Sequence, residues 1–205
     1  MTGIVVTILS VGLLRTVVDA WYVGVEASSN TRLVTRNAIS IIFSLPISYA
    51  EKIRQTAGVR QLSWGTWFGG IYIDEKNFFP NFAVDAKTYF ELYSELVLPE
   101  AQHKDFMLDR KGCVAGHKLV ERFGWKLGDQ ITLKGTIFPG DWPMTLRGIY
   151  KGKFDNVDRT QLFFHWDYLN ETLKKTSPRR ADSAGFYLIG IDLPGVDLPG
   201  EDALD

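Results

Sequence analysis

The sequence predicts an α+β fold: mixed sheets with helices packed on one face, in two subdomains that share the chain discontinuously. Three observations lead there. Short segments of strict apolar–polar alternation, QITLK at Gln130–Lys134 and MTLRGIY at Met144–Tyr150, have the period of half-buried strands. Short helical patterns are interleaved with them. In His117–Phe123, Leu119, Val120 and Phe123 are apolar while Lys118, Glu121 and Arg122 are polar. Finally, 205 residues with 45% hydrophobic and 23% charged side chains are ordinary globular values, enough for one large core or two small ones.

The most hydrophobic segment comes first, GIVVTILSVGLLRTVVDAWYVGV at Gly3–Val25. Its uncharged part, Gly3–Leu14, is shorter than the roughly 20 apolar residues a bilayer span takes. Arg15 and Asp19 lie four apart, on one helical face with Tyr22 and Glu26. The segment therefore reads as a helix with a lipid-like first half and an amphipathic stalk. No basic region or small-residue cleavage site of a signal peptide precedes it. Three readings fit: the second part of a transmembrane helix, an amphipathic helix packed on the domain, or an anchor of low hydrophobicity. Residues 1–26 are taken as this stalk, 27–193 as the folded core, and 194–205 as an acidic, disordered tail.

Within the core, Thr31–Ser44 suggests two short strands meeting near Arg36–Asn37 as a hairpin. Pro46 is placed to open a helix over Ile47–Thr56, with Ile47, Ala50 and Ile53 on one face and Gly58 as its cap. Val59–Asp74 reads as strand with bulges or bends at Gly65, Gly69 and Gly70. Phe78–Val84 is a further strand, and Asp85 is the expected N-cap of a helix over Ala86–Tyr93. Glu91 and Glu95 read as its solvated face. A short helix is expected at His103–Asp109. Cys113–Ala115 is an apolar strand ending at Gly116, and Gly124 stops the helix after Phe123. Gly135–Pro143 reads as a loop between the two alternating strands. Gln161–His165 is a strand, followed by a helix from Trp166 or Asp167 to Leu173, a basic loop over Lys174–Ser183 and a last strand over Gly185–Leu193.

The motifs exclude more than they assign. A net charge of −1, with no basic run longer than Lys174–Lys175 or Arg179–Arg180, gives no footing for nucleic acid. Neither GxxxxGK[ST] nor GxGxxG is present, so no nucleotide cofactor is expected. His103, His117 and His165 lack metal-ligand spacing, and no metal is expected. His117 and Glu121, four apart, read as a surface pair rather than ligands. Cys113 and His117 share that spacing, but a thiol inside the apolar run CVA suits a buried structural role. Catalytic residues are expected to be none. Two scattered carboxylates could still meet in the fold and act as a hydrolase pair. Trp64, Trp67 and Phe68 in WGTWFGG read as sheet core, with a ligand groove as the competing reading.

Four of these segments together resemble a family. The apolar strand, Gly116, the helix ending at Phe123–Gly124, the Leu127–Gly128–Asp129 turn and the closing LRGIYKG strand look like the core of the MacB-like periplasmic domain. That domain belongs to permeases of ABC-type export and lipoprotein-release systems, the FtsX-like class. LPISYAEKIRQTAGVRQLSWGTWFGG at Leu45–Gly70, FAVDAKTYFELYSEL at Phe82–Leu96 and LFFHWDYLNETL at Leu162–Leu173 extend the resemblance over about residues 30 to 192. It implies a porter-like α/β part with a smaller inserted subdomain. It also implies a position outside the bacterial inner membrane, facing the periplasm, between the first and second transmembrane helices. The implied function is non-catalytic: motion driven by a separate ATP-binding subunit is coupled to a substrate or to a periplasmic adaptor or lipoprotein partner. The permeases work as homodimers or heterodimers. The chain is then expected to be an excerpt of a longer permease, because it has no further apolar run of 18 residues. A membrane-anchored ligand-binding or sensor module is the alternative.

Overall fold

The computed structural model describes residues 32–38 and 43–192. The stalk helix predicted over residues 3–25 and the acidic tail over 194–205 lie outside the described residues. In chain order the elements are β1 (Arg32–Arg36), β2 (Leu45–Pro46), helix α1 (Tyr49–Arg54), β3 (Val59–Trp67), β4 (Ile71–Tyr72), β5 (Asn81–Val84), α2 (Tyr89–Leu92), β6 (Leu96–Val97), α3 (Glu100–Leu108), β7 (Gly112–Gly116), α4 (His117–Phe123), β8 (Gln130–Gly135), β9 (Gly140–Gly152), β10 (Leu162–His165), α5 (Trp166–Thr176), β11 (Ser183–Ala184) and β12 (Phe186–Ile191).

One mixed sheet carries the fold, in the order β1-β12-β3-β5-β10-β7-β9-β8-β4, with β6 added on β9; β11 and β2 form a separate two-stranded ribbon. β5 runs parallel to β10 and β7 parallel to β9, while the other pairs are antiparallel. The mixed sheet with packed helices is the α+β architecture that the sequence predicts. The helices, however, cover both faces rather than one. Successive residues of a strand point to opposite sides. Leu162 and Phe164 join Leu119 of α4 and Leu169 of α5, whereas Phe163 between them joins Phe90 of α2 and Phe106 of α3. Cys113 and Ala115 divide from Val114 in the same way. On the α4–α5 side, Ala50 of α1 packs on Tyr187 and Ile189 of β12. Strands buried on both faces read as continuous apolar runs, and such runs carry no record of how many layers cover them.

Several boundaries move, each for a local reason. β1 pairs over all five residues with β12, and most of the second strand of the hairpin predicted over Thr31–Ser44 lies outside the described residues. α1 is shorter than predicted: Pro46 lies in β2, and after Gln55 the chain turns through Gly58 at φ +85° into β3. Gly65 is no bulge. It pairs in register with Phe186 and Val84, and a Cβ there would sit 2.5 Å from Cζ of Phe186, so the glycine makes room for that ring. Asp85 caps a turn, and the helix starts later, at Tyr89, since the Asp85 carbonyl accepts from the N–H groups of both Thr88 and Tyr89. α3 begins three residues earlier than expected, directly after Pro99. The segment read as a loop over Gly135–Pro143 is mostly strand, with Pro143 opposite Thr132 in the β8–β9 hairpin. α5 runs on to Thr176. By contrast α4 spans His117–Phe123 as predicted, and Gly124 ends it in the left-handed conformation at φ +67°.

A buried asparagine of β5 holds the bend between β3 and β4 around Gly70. The Asn81 side chain accepts from the Gly70 N–H (2.8 Å) and donates to the carbonyls of Gly70 (2.9 Å) and Phe79 (2.7 Å). Each of its bonds replaces water that the buried amide would otherwise lose.

Double-sided burial has a direct test. Phe163→Ala and Phe164→Ala should each destabilise the protein by about 3–5 kcal/mol in urea unfolding, the usual range for a buried Phe truncation. A sheet with one bare face would make one of the two mild.

Candidate functional site

The parallel pair β5 and β10 is in register, with His165 opposite Val84, so both strands end at one point. Beyond that point the chain diverges. Asp85, Ala86 and Lys87 leave on one side, and Trp166 and Asp167 open α5 on the other. Met107 and Leu108 of α3, with Arg110, close the third side of a hollow of about 300 Å³. In open α/β sheets such crevices beyond the carboxyl ends of strands are where ligands tend to bind.

Two groups in this hollow are held firmly. The Thr88 hydroxyl donates to the Asp85 carboxylate at 2.5 Å, and the Asp85 N–H donates to the Trp64 carbonyl at 2.9 Å. Burial pushes the Asp85 carboxyl above its ordinary value, the hydrogen bonds from Thr88 and from the Lys87 backbone oppose this, and the charge of Asp167 adds to the rise. His165 is buried, and Nε2 lies 2.8 Å from the Phe106 carbonyl, with its ring centre 4.2 Å from that of Phe106 at a tilt of 32°. A carbonyl can only accept, so Nε2 carries the proton and Nδ1 is the bare nitrogen. Burial pulls the His165 pKa below its ordinary value, partly offset by the bond to Phe106. His165 precedes α5 without capping it through its side chain. Asp167 in the first turn instead complements the helix dipole. Asp85 and Asp167 are matched by Lys87 and Arg110, so the lining has both signs and can hold polar groups by hydrogen bonds.

The residues singled out in the sequence separate. Cys113 is fully buried in β7, and burial pushes its thiol far up, away from the reactive thiolate. His103, His117 and His165 sit on α3, α4 and β10, and among the described residues no three His, Cys, Asp or Glu side chains converge on a metal geometry. Glu95, read as solvated, pairs with Arg32 at 2.5 Å. Phe68 is core, stacked on Phe138 and edge-on to Trp142 and Phe164. Trp64 meets Trp166 edge-on at 5.9 Å, and Trp67 meets Phe82 edge-on at 5.0 Å. These aromatics are engaged in packing, and the hollow beside Trp67 is only about 20 Å³. The sequence reading missed the Asp85–Asp167 cleft. The one available signal was that two apolar strands, Phe82–Val84 and Leu162–Phe164, are each followed at once by polar residues.

Three outcomes follow from these environments. Asp85→Asn keeps an oxygen for the Thr88 and Lys87 bonds and removes a carboxylate whose ionised form burial disfavours. Because the folded pKa is raised above the unfolded 3.8, the ionised group costs stability above the folded value and that cost fades as pH falls. The variant should therefore be at least as stable as the wild type at pH 7, with the difference closing below about pH 4, as read by denaturant midpoints. His165 shifts the other way: its contribution is complete above the unfolded 6.5 and is lost as pH falls towards its lowered folded value. Separately, Cys113 should stay unlabelled by a thiol reagent in the native protein and label fully in denaturant.

No protein-family model matches the chain, and no curated protein sequence matches it significantly. Solved structures do. The periplasmic region of MacB from Actinobacillus actinomycetemcomitans superposes with a TM-score of 0.54 at 12% identity, covering 82% of this chain and 78% of that one. The extracellular domain of the ABC-type transporter YknZ from Gram-positive bacteria gives a TM-score of 0.52 at 13% identity, covering 80% and 83%. With the mixed sheet and helices described above, these similarities show that the chain has the fold of the MacB-like extracytoplasmic domain of ABC-type transporter permeases.

Proposed function

We propose that the chain is the extracytoplasmic domain of an ABC-type export or lipoprotein-release permease. In this reading it is non-catalytic and couples ATP-driven motion of a membrane part to a substrate or a partner protein. Residues 27–193 form the working domain, with a porter-like part and a smaller inserted part, and residues 1–26 connect it to the membrane. Its partners are an ATP-binding subunit, reached through the membrane part, a periplasmic adaptor or lipoprotein, and a second permease in a homodimer or heterodimer. The domain faces the periplasm from the bacterial inner membrane.

The observation that carries this reading, beside the shared fold, is where the chain enters and leaves. β1 and β12 are antiparallel neighbours with Arg32 opposite Gly190, so the chain comes in and goes out side by side at one edge of the sheet. A domain inserted between two membrane helices needs both connections on one side. Among the described residues no helix is long and apolar enough to cross a membrane. The strongly hydrophobic stretch Gly3–Val25 directly precedes this edge.

A second reading, a membrane-anchored ligand-binding or sensor module, draws on the cleft at Asp85–Asp167 rather than on the aromatic stretch.

Localisation and partnership test the first reading together. A protease site placed in the exposed turn at Lys153–Asp155 of the native full-length protein should be cut in intact spheroplasts. The same protein should co-purify with an ATP-binding subunit. Cutting only after lysis sinks the extracytoplasmic placement. External cutting without any ATP-binding partner favours the sensor module.

A further inference from the structure

Among the described residues β1 lies at the edge of the sheet. Leu33 and Val34 are 51% and 57% exposed, and its backbone pairs with β12. Arg32 is the exception. Its guanidinium donates from Nη1 to the Leu92 carbonyl (2.6 Å) and to Glu95 Oε2 (3.1 Å), and from Nη2 to Glu95 Oε1 (2.5 Å). Its Cζ also lies 3.8 Å from the centre of the Tyr93 ring. The pair is largely shielded, with side-chain exposures of 11% and 23%. A bidentate fork in that setting is far from a loose surface ion pair.

The neighbouring strands make room for it. Gly190 of β12 lies opposite Arg32, and a Cβ there would meet Cδ2 of Leu92 at 2.9 Å. The bare backbone lets the end of α2 settle on the sheet within reach of Arg32. Gln61 of β3, opposite Gly190 on the other side, donates to Glu91 of α2. Three strands in a row thus grip one short segment.

That segment leads elsewhere. The Glu95 carbonyl accepts from the Lys153 N–H at 2.9 Å, and Leu96 and Val97 pair with Gly152 and Lys151 at the end of β9. Along the sheet β1 and β9 are separated by β12, β3, β5, β10 and β7. Through Arg32 and Glu95 they are one side-chain pair apart.

We propose that Arg32 is a positioning residue that fastens the edge strand where the chain enters the domain to β9, bypassing the five strands between them. This rests on the coupling function above only for its purpose. In that setting, displacement of the segment before Arg32 passes straight to β6, β9 and the β8–β9 hairpin.

Amide hydrogen exchange on the full chain tests it. Arg32→Ala should speed exchange about ten-fold or more in β1 and, at the same time, at Leu96–Val97 and Lys151–Lys153, with β7 and β10 unchanged. Glu95→Gln should give the same pattern, and the double variant should add little to either single change. Leu33→Ala should not touch β6 or β9. If Arg32→Ala does not fold, Arg32→Lys, which loses the fork and keeps the charge, should give the same pattern at smaller size. Faster exchange confined to β1, or additive single changes, overturns the proposal. The exchange pattern needs no membrane or ATP-binding subunit, so its failure is distinct from failure of the transport reading.

Discussion

The fold depends on the burial of β10 from both sides. Leu162, Phe163, Phe164 and His165 are all buried, with β5 parallel on one edge and β7 antiparallel on the other. A strand with no solvated face cannot be stable until a layer covers each side, so α4 and α5 on one face and α2 and α3 on the other form a single cooperative requirement. The alternation also fixes register. A one-residue slip would exchange the Phe163 and Phe164 surroundings, whose ring partners differ entirely. Even Cys113 is explained at this level: it fills a place in the second buried strand.

Local chemistry was legible where it acts alone. The α4 helix needs only its own apolar stripe and Gly124, and both are visible in seven or eight residues. Of the two alternating strands that follow it, β8 was equally clear. Where tertiary contacts decide, the sequence was silent. Gly65 and Gly190 look like weak points of strands, yet each is the vacancy into which a side chain from another element fits, Phe186 in one case and Leu92 in the other. Pro143 suggested a loop but stands inside the long hairpin. Glu95 looked solvated because its partner, Arg32, is 63 residues away. The cleft was hidden for the same reason: its lining comes from three separate stretches that only the parallel pairing of β5 with β10 brings together.

The polar groups divide between the interior and the cleft. The buried ones serve geometry. Asn81 ties the β3–β4 bend to β5, and the Tyr150 hydroxyl donates to the Asp158 carbonyl at 2.8 Å, pinning the loop before β10. Asn170 and Asp182 exchange hydrogen bonds of 2.7 and 2.9 Å, which hold Asp182 at its positive φ of 52° ahead of β11. The groups open to the cleft are balanced in sign and offer contact surface.

The side-by-side arrangement of β1 and β12 has a consequence for modularity. Adjacent strands lie about 5 Å apart, whereas two packed helices lie about 8–10 Å apart. A unit whose two ends are this close can be spliced into the turn between neighbouring helices with almost no linker and little disturbance of their packing. The same geometry makes the unit portable: lifted out, its ends could be rejoined by a residue or two and the chain reopened at another exposed turn. Its sequence can then drift far while its means of attachment stays the same.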